Sequence, residues 1–263
     1  DYHDEDYLSA ARIIPIKTSS TCFYKQCTFC THYADVPYLE FNLENIRQTI
    51  LKSGAKHVYF IDDMISRQRL DALAKMLKPL GVKWWCQLRP TKDLQGHFQE
   101  LYDGGLRCIA WGVESASQRI LNLMKKGTKV EDISPILHES HAVGIKNMAY
   151  IMFGFPTETK EEFMDTLTFL KDNSASIDLV CTSVFGLQKR SPVYKNPAIF
   201  GIKEVNTHKR TILDEKITYL SESGLQNQDA KDLRKKYKIT LRKLNKVPHA
   251  FDYFKEQILV FDE

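Results

Sequence analysis

Long hydrophobic runs are missing from this chain. Its most apolar stretches, such as KNMAYIMFGF from Lys146, are strand-sized, and a membrane-spanning helix needs about 20 apolar residues in succession. No membrane span is expected. A secretory signal is missing as well: DYHDEDYLSA at the N-terminus is acidic and polar where such a signal is basic and then apolar. The expectation is a cytoplasmic protein. Charge of one sign is scarce, with a net charge of +4 over 263 residues, so whole-chain electrostatics announce neither nucleic acid nor a membrane surface. An initiating methionine is lacking, and the abrupt start on Asp1 leads to the expectation of a fragment of something longer. Cysteine is sparse and unevenly placed. Three of the six, Cys22, Cys27 and Cys30, fall within nine residues, while Cys86, Cys108 and Cys181 lie far apart. Clustered cysteines in a chain with no export signal point to reduced thiols or bound metal, not to a disulfide framework.

What is present is a regular alternation. Short apolar, β-rich runs at Arg12–Thr18, His57–Ile61, Val82–Leu88, Arg107–Val113, Lys146–Phe153 and Asp178–Phe185 are separated by amphipathic stretches at Asn42–Ser53, Ser66–Leu80, Phe98–Asp103, Ser117–Met124, Lys129–Val143 and Lys160–Asn173. Glycines at 81, 105 and 144 each sit between a helical pattern and the next strand, as helix C-caps do. Six such units imply an α/β fold with parallel strands and right-handed crossovers, either an open doubly wound sheet or a partial barrel. The pattern changes after about Gly201. HKRTILDEKITYLSESGL, from His208, reads as a helix, and a further helical stretch carries eight Lys or Arg between Lys231 and Lys246. Such a basic run is either a solvated helix face or a contact for nucleic acid or an acidic peptide. The expected division is a barrel over residues 1–202 and a helical, basic C-terminal extension over 203–263.

Cys22, Cys27 and Cys30 follow the first strand as C-x4-C-x2-C. Loops after the C-terminal ends of parallel strands are where active sites are built in such folds. Thiolates suit zinc or iron–sulfur iron. With His32 as a fourth ligand the cluster would make a Cys3His zinc site; with three cysteines alone, a four-iron cluster would keep one iron open. Spacing does not separate the two.

Several segments together do. TSSTCFYKQCTFC (Thr18 to Cys30) resembles the cluster loop of the radical S-adenosylmethionine (radical SAM) enzymes, with one residue more in the first gap than the usual C-x3-C-x2-C. That longer gap is similar to the branch holding cobalamin-linked methyltransferases and peptide maturases. FIDDM at the second strand's end stands where the family receives the SAM amino group. AWGVESASQRILNLMKKGT looks like the family's GxESGSxxxLxxMxKG segment, and IMFGFPTETKEEF is similar to its GxPGET segment, with Thr157 where a glycine is frequent. SPVYKNPAIFGI resembles a segment of the same branch, expected as a loop near the open mouth.

The resemblance, running from about Asp1 to Ile202, implies a partial (β/α)6 TIM-like barrel. It implies a 4Fe–4S cluster on Cys22, Cys27 and Cys30 and a SAM site. In that site Phe29 lies against the adenine, Asp62 and Asp63 meet the ammonium, Arg89 is near the carboxylate or the substrate, Glu114 binds ribose hydroxyls or the ammonium, and Gly112 and Gly154 allow close backbone approach. Ser115 joins that group or, like Ser117, caps a helix. A one-electron donor such as flavodoxin or ferredoxin is implied, with a peptide or complex small molecule as substrate. RNA is the alternative if the basic extension is a contact. No cobalamin domain or D-x-H-x-x-G segment is present, so any cobalamin would come from a domain outside this chain. Cys181 is a candidate hydrogen donor to a substrate radical. Cys86 and Cys108, and the tryptophans Trp84, Trp85 and Trp111, read as core packing.

Overall fold

The computed structural model describes residues 9, 11–32, 36–213 and 216–261. Tyr33, in the cluster loop, and residues 1–8 of the resembling segment lie outside them. Six strands, β1 (Ile13–Ile16), β2 (His57–Phe60), β3 (Lys83–Leu88), β4 (Leu106–Glu114), β5 (Lys146–Phe153) and β6 (Leu179–Val184), form one sheet in sequential order. Every pairing is parallel. Between them run α1 (Leu43–Ser53), α2 (Arg67–Leu77), α3 (Phe98–Asp103), α4 (Gln118–Leu123), α5 (Val130–Ala142) and α6 (Lys160–Asp172). All six expected strands and all six expected helices are there.

Local chemistry explains the boundaries. Asn42 caps α1 by accepting from the backbone N–H groups of Glu44 and Asn45, and Ser66 caps α2 by accepting from that of Arg69. Thr159 and Glu162 form a reciprocal capping box at the start of α6. Strand order never reverses, so the sheet is wound in one sense. Right-handed crossovers then place all the helices on one face and leave the other concave, which is the architecture of an incomplete barrel.

The two faces carry different cores. Trp84, Cys86 and Leu88 pack under the helices together with Phe60, Trp111 and Phe163. Their neighbours in the alternating pattern, Trp85, Cys108, Ala110, Met148 and Leu179, face the concave side. All three indole N–H groups have acceptors: Gly104 O for Trp84, Met148 Sδ for Trp85 and Asn147 Oδ1 for Trp111. These tryptophans are sheet packing.

Beyond β6 lie α7 (Pro192–Lys195), β7 (Ile202–His208), β8 (Lys216–Ser221), α8 (Asn227–Lys236) and α9 (Lys238–Lys243). The helix expected from His208 is not formed. β7 and β8 make an antiparallel hairpin with Val205 opposite Tyr219. The reason is the pattern of burial: Ile217 and Tyr219 pack on the core, whereas Leu220 is exposed and Ile212 is 92% exposed. The two residues that reach the core, Ile217 and Tyr219, are two apart, the period of a strand. After α9 the chain turns into the concave side. Val247, Ile258 and Leu259 are buried against Trp85, Cys108 and Met148 and fill the base of the sheet's inner face. No helix among the described residues is long and apolar enough to cross a membrane.

Candidate active site

The loop after β1 carries the three clustered cysteines and is closed at its base. Phe41 N–H donates to Thr18 O at 2.8 Å, Ser20 N–H to Leu39 O at 2.9 Å, and Ser19 bridges Glu40. The buried Arg69 of α2 ties both strands of this stem by donating to Thr18 O and Phe41 O. Asp62, 2% exposed, accepts from Thr18 N–H, Thr18 Oγ1 and Ser19 Oγ, the last at 2.6 Å. Its carboxylate is thus committed to the stem, and the expected contact of Asp62 with a ligand ammonium is not what its geometry serves.

The loop's tip is pinned on the far side of the sheet mouth. Thr28 donates through its N–H to Met124 O and through its hydroxyl to Leu123 O, both at 2.9 Å. Tyr24 O–H donates to Lys125 O, and Val193 N–H of α7 donates to Thr28 O. The SPVYK segment therefore lies against the cysteine loop, at the mouth as expected, although it is helical. Thr21 Oγ1 donates to His32 O at 2.7 Å across the loop.

Charge is concentrated beside the thiols. The Lys126 ammonium, with its side chain 10% exposed, meets Glu114 Oε1 at 2.8 Å. Burial pulls the Lys126 pKa down, but Glu114 and Cys27 outweigh it and leave the ammonium above its usual value. Burial pushes the Cys27 thiol up to about 11, with Lys126 opposing. Cys30 is raised chiefly by burial, and Asp63 and Cys22 add to the rise. Asp63 in turn pairs with His32, Nδ1 to Oδ1 2.7 Å. That hydrogen bond holds the Asp63 carboxyl below the usual range and raises His32.

Other expected residues gather around the same mouth. Glu114 ends β4 at φ +65, a conformation a non-glycine residue holds only when its surroundings enforce it. Gly112 makes room for the Lys126–Glu114 pair, because a Cβ there would lie 2.6 Å from Lys126 Nζ. Arg89 stacks on Tyr24 at 3.6 Å and donates through Nη1 to Lys126 O, while its buried Nε has no partner. Phe29 packs on the core with Lys126 Nζ 5.7 Å from its ring centre. Ser115, fully buried, accepts from Ser117 N–H and builds the turn into α4, whose cap is Ser117. Gly154, at φ +72, has other work than expected. A Cβ there would meet Ala230 of α8 at 2.6 Å, its N–H goes to Glu158 and its carbonyl to Tyr219. Its close approach is to the chain's own C-terminal helix. The site residue that sequence reasoning missed is Lys126. Its signals were the lysine of the GxESGSxxxLxxMxKG segment, which falls on Lys126, and the glycine at 112, and neither names a partner.

Three cysteines on one clamped loop, a buried ammonium beside them and carboxylates just past β2 and at the end of β4 define a class: an α/β protein with its polar and thiol groups gathered at the strand-end mouth, where such folds build their active sites. The family model described as "Radical SAM superfamily" matches residues 16–170, and the chain belongs to that superfamily. Its members are enzymes that use a 4Fe–4S cluster and SAM. An uncharacterized methyltransferase of Pyrococcus horikoshii is 25% identical over 166 residues, covering 59% of this chain and 36% of that protein. The tRNA-2-methylthio-N(6)-dimethylallyladenosine synthase of Thermotoga petrophila is 26% identical over 193 residues, covering 64% and 42%. Among solved structures, the radical SAM methyltransferase TsrM of Kitasatospora setae is similar in fold. With tryptophan and a SAM analogue bound it gives a TM-score of 0.68 at 15% identity, covering 91% of this chain and 52% of that one. With cobalamin and a 4Fe–4S cluster bound it gives 0.64 at 16%, covering 76% and 43%. The chain spans well under half the length of the two curated relatives.

The donor set suits the family's cluster. Among the described residues no three His, Cys, Asp or Glu side chains converge as one ion requires. A tetrahedral Cys3His zinc site needs such convergence. Thiols that ligate separate irons of a cluster need not converge on one point.

Proposed function

We propose that this chain is the catalytic core of a radical SAM enzyme in which Cys22, Cys27 and Cys30 hold the 4Fe–4S cluster. The observation that carries the reading is the double clamp on the cysteine loop, at its stem by Asp62 and Arg69 and at its tip by the turn after α4. This clamp sets Cys27 and Cys30 near the buried Lys126. Bound there, the cluster and SAM would supply the chemistry of radical generation from SAM for hydrogen abstraction, with the electron coming from a donor such as flavodoxin or ferredoxin.

The chain's own groups have definable parts. Lys126 offsets thiolate charge in a partly dry site. Glu114 keeps Oε2, and Asp63 keeps the carboxylate oxygen not bound by His32, for the ammonium or ribose hydroxyls of SAM. Arg89 offers its unpartnered Nε to a carboxylate, and Phe29 supplies an apolar wall for the adenine. Cys181 lies on the concave side near Tyr150, with burial raising its pKa to about 11. At neutral pH it keeps its S–H bond, the form that gives a hydrogen atom to a substrate radical.

The substrate we infer is a peptide or complex small molecule entering the concave side, with epimerisation, crosslinking or cobalamin-linked methylation as the outcome. Cobalamin, present in the TsrM structure, would come from a domain outside this chain. RNA is the second reading, favoured by the Lys and Arg side chains that α8 and α9 turn toward one cavity.

Anaerobic reconstitution with iron and sulfide tests the proposal. About four irons and four sulfides per chain are expected, with SAM cleaved to methionine and 5′-deoxyadenosine on reduction. Cys27→Ala should lose both. A colourless protein with one bound zinc overturns it.

A further inference from the structure

A cavity of about 520 Å³ opens beside β6, the last strand of the sheet. Lys231, Arg234, Lys235, Lys238, Arg242 and Lys255 line it, and Asp252 is the one acidic group among the described lining residues. We propose that this cavity binds phosphate groups of the enzyme's substrate and directs the remainder of that molecule to the concave side of the sheet at Cys181. The directing part rests on the radical SAM reading; the phosphate site does not.

The cations are arranged, not scattered. Lys231 and Lys235 are four residues apart, as are Arg234 and Lys238, and Lys238 and Arg242. That spacing puts them on one side of the α8–α9 pair. The packing side of α8 is a different one, where Ala230 lies on Gly154 and Leu233 reaches the core. Like charges at such spacings work against a helix, so the stripe opposes folding until an anion offsets it. Lys231, Lys235 and Lys238 are exposed and have no hydrogen-bond or ion-pair partner among the described residues.

Arg234 is already oriented. Its Nε donates to Thr182 Oγ1 at 2.8 Å and its Nη2 to Thr182 O at 2.7 Å, leaving Nη1 for a ligand. The planar fork held by β6 and the flexible ammonium groups around it together match a phosphate, which offers two charges and several acceptor oxygens in a small volume. The size falls in the range of small-molecule sites.

The cavity also has an inner end. Cys181 is on its wall and belongs to the concave-face group with Tyr150 and Met148. Lys255 spans the two, lining the cavity with its Nζ 4.6 Å from the Tyr150 ring centre. A ligand held at the outer cations by its phosphates therefore presents its other end to the sheet interior.

The test is calorimetric binding of three probes, inorganic tripolyphosphate, a ten-nucleotide single-stranded RNA and a glutamate decapeptide, to the chain and to its Lys231→Gln/Lys235→Gln/Lys238→Gln variant. All three sites are exposed, and an unchanged circular dichroism spectrum and melting temperature check the variant's fold. Expected is tripolyphosphate binding that weakens at least tenfold in the variant, with the glutamate peptide bound far more weakly than either phosphate probe. Tripolyphosphate bound without RNA identifies a compact phosphorylated ligand as the source. Tighter RNA, with a salt slope that falls by about two in the variant, identifies a nucleic-acid backbone. Absence of phosphate binding, equal binding by the variant, or equal binding of the glutamate peptide overturns the proposal. None of these results depends on cluster loading or SAM cleavage, so they do not bear on the radical SAM reading itself.

Discussion

Replacing Glu158 by Gln should change how stability depends on pH. Glu158 sits in the turn after β5, fully buried. Its Oε2 accepts from Gly154 N–H at 2.5 Å, its Oε1 is buried without a partner, and its carbonyl receives Leu225 N–H. It thus lies at the seam between the sheet and the C-terminal segment. Burial raises its pKa from 4.5 to about 8, with the Gly154 N–H opposing. Because the folded pKa lies above the unfolded one, the contribution is fully present below pH 4.5, where both states are protonated. Between pH 4.5 and about 8 unfolding releases a proton, and stability falls by about 1.4 kcal/mol for each pH unit. Above about 8 both states are ionised and the loss is complete, on the order of 5 kcal/mol over the whole window. The Glu158→Gln side chain still accepts from Gly154 but cannot ionise. Its amide N–H2 takes the place of the unpartnered oxygen, at a roughly pH-independent cost of about 1–3 kcal/mol. Urea unfolding at pH 5, 6.5 and 8 should therefore show the variant gaining on the wild type as pH rises. Parallel profiles across that range would refute the burial argument.

Lys126→Met should destabilise the protein by about 3–5 kcal/mol in urea unfolding, because it strands a buried carboxylate at Glu114. Adding Glu114→Gln should restore most of the loss, and a double variant no more stable than the single one would contradict the pairing. Cys22→Ala should abolish iron binding after anaerobic reconstitution while Cys86→Ala, buried under the helices, retains about four irons; equal iron in both would remove the cluster assignment. Ile258→Ala, which empties space against Trp85 and Met148 on the concave side, should cost about 2–5 kcal/mol by thermal or chemical unfolding. A negligible effect there would mean that the C-terminal segment does not close the base of the sheet.

The β/α units were legible because buried parallel strands and amphipathic helices write their periods into the residues themselves. β5 (Lys146–Phe153) is expected and found over the same residues, as is α3 (Phe98–Asp103). The hairpin of β7 and β8 was not legible. It is mostly exposed, so burial imposes little pattern on β7, and Ile212, Leu213, Ile217 and Leu220 happen to fall at spacings a helix would use. The basic stretch showed its charge but not that five of its side chains share a cavity, which depends on where α9 and the segment after it return.

The site divides along the same line. Cys22, Cys27 and Cys30 are recognisable because the ligation proposed for them would demand their chemistry and spacing locally. Asp62 and Asp63 are adjacent in sequence and carry the same chemistry, yet in the loop just past β2 they go opposite ways, one into the loop stem and the other toward His32 at the mouth. Lys126 is further still from local inference, since its role exists only once β4 and the turn after α4 meet. What the sequence does hold is the permission for that meeting, Gly112, where any side chain would collide with the ammonium. Thr157 is the complementary case. It stands at φ +71, which explains why the related segment commonly has glycine there, and Arg119 holds it by donating to both its hydroxyl and its carbonyl. A departure from the family pattern at this position is therefore compensated by an arginine 38 residues away, and such compensation becomes visible only when the fold brings the two together.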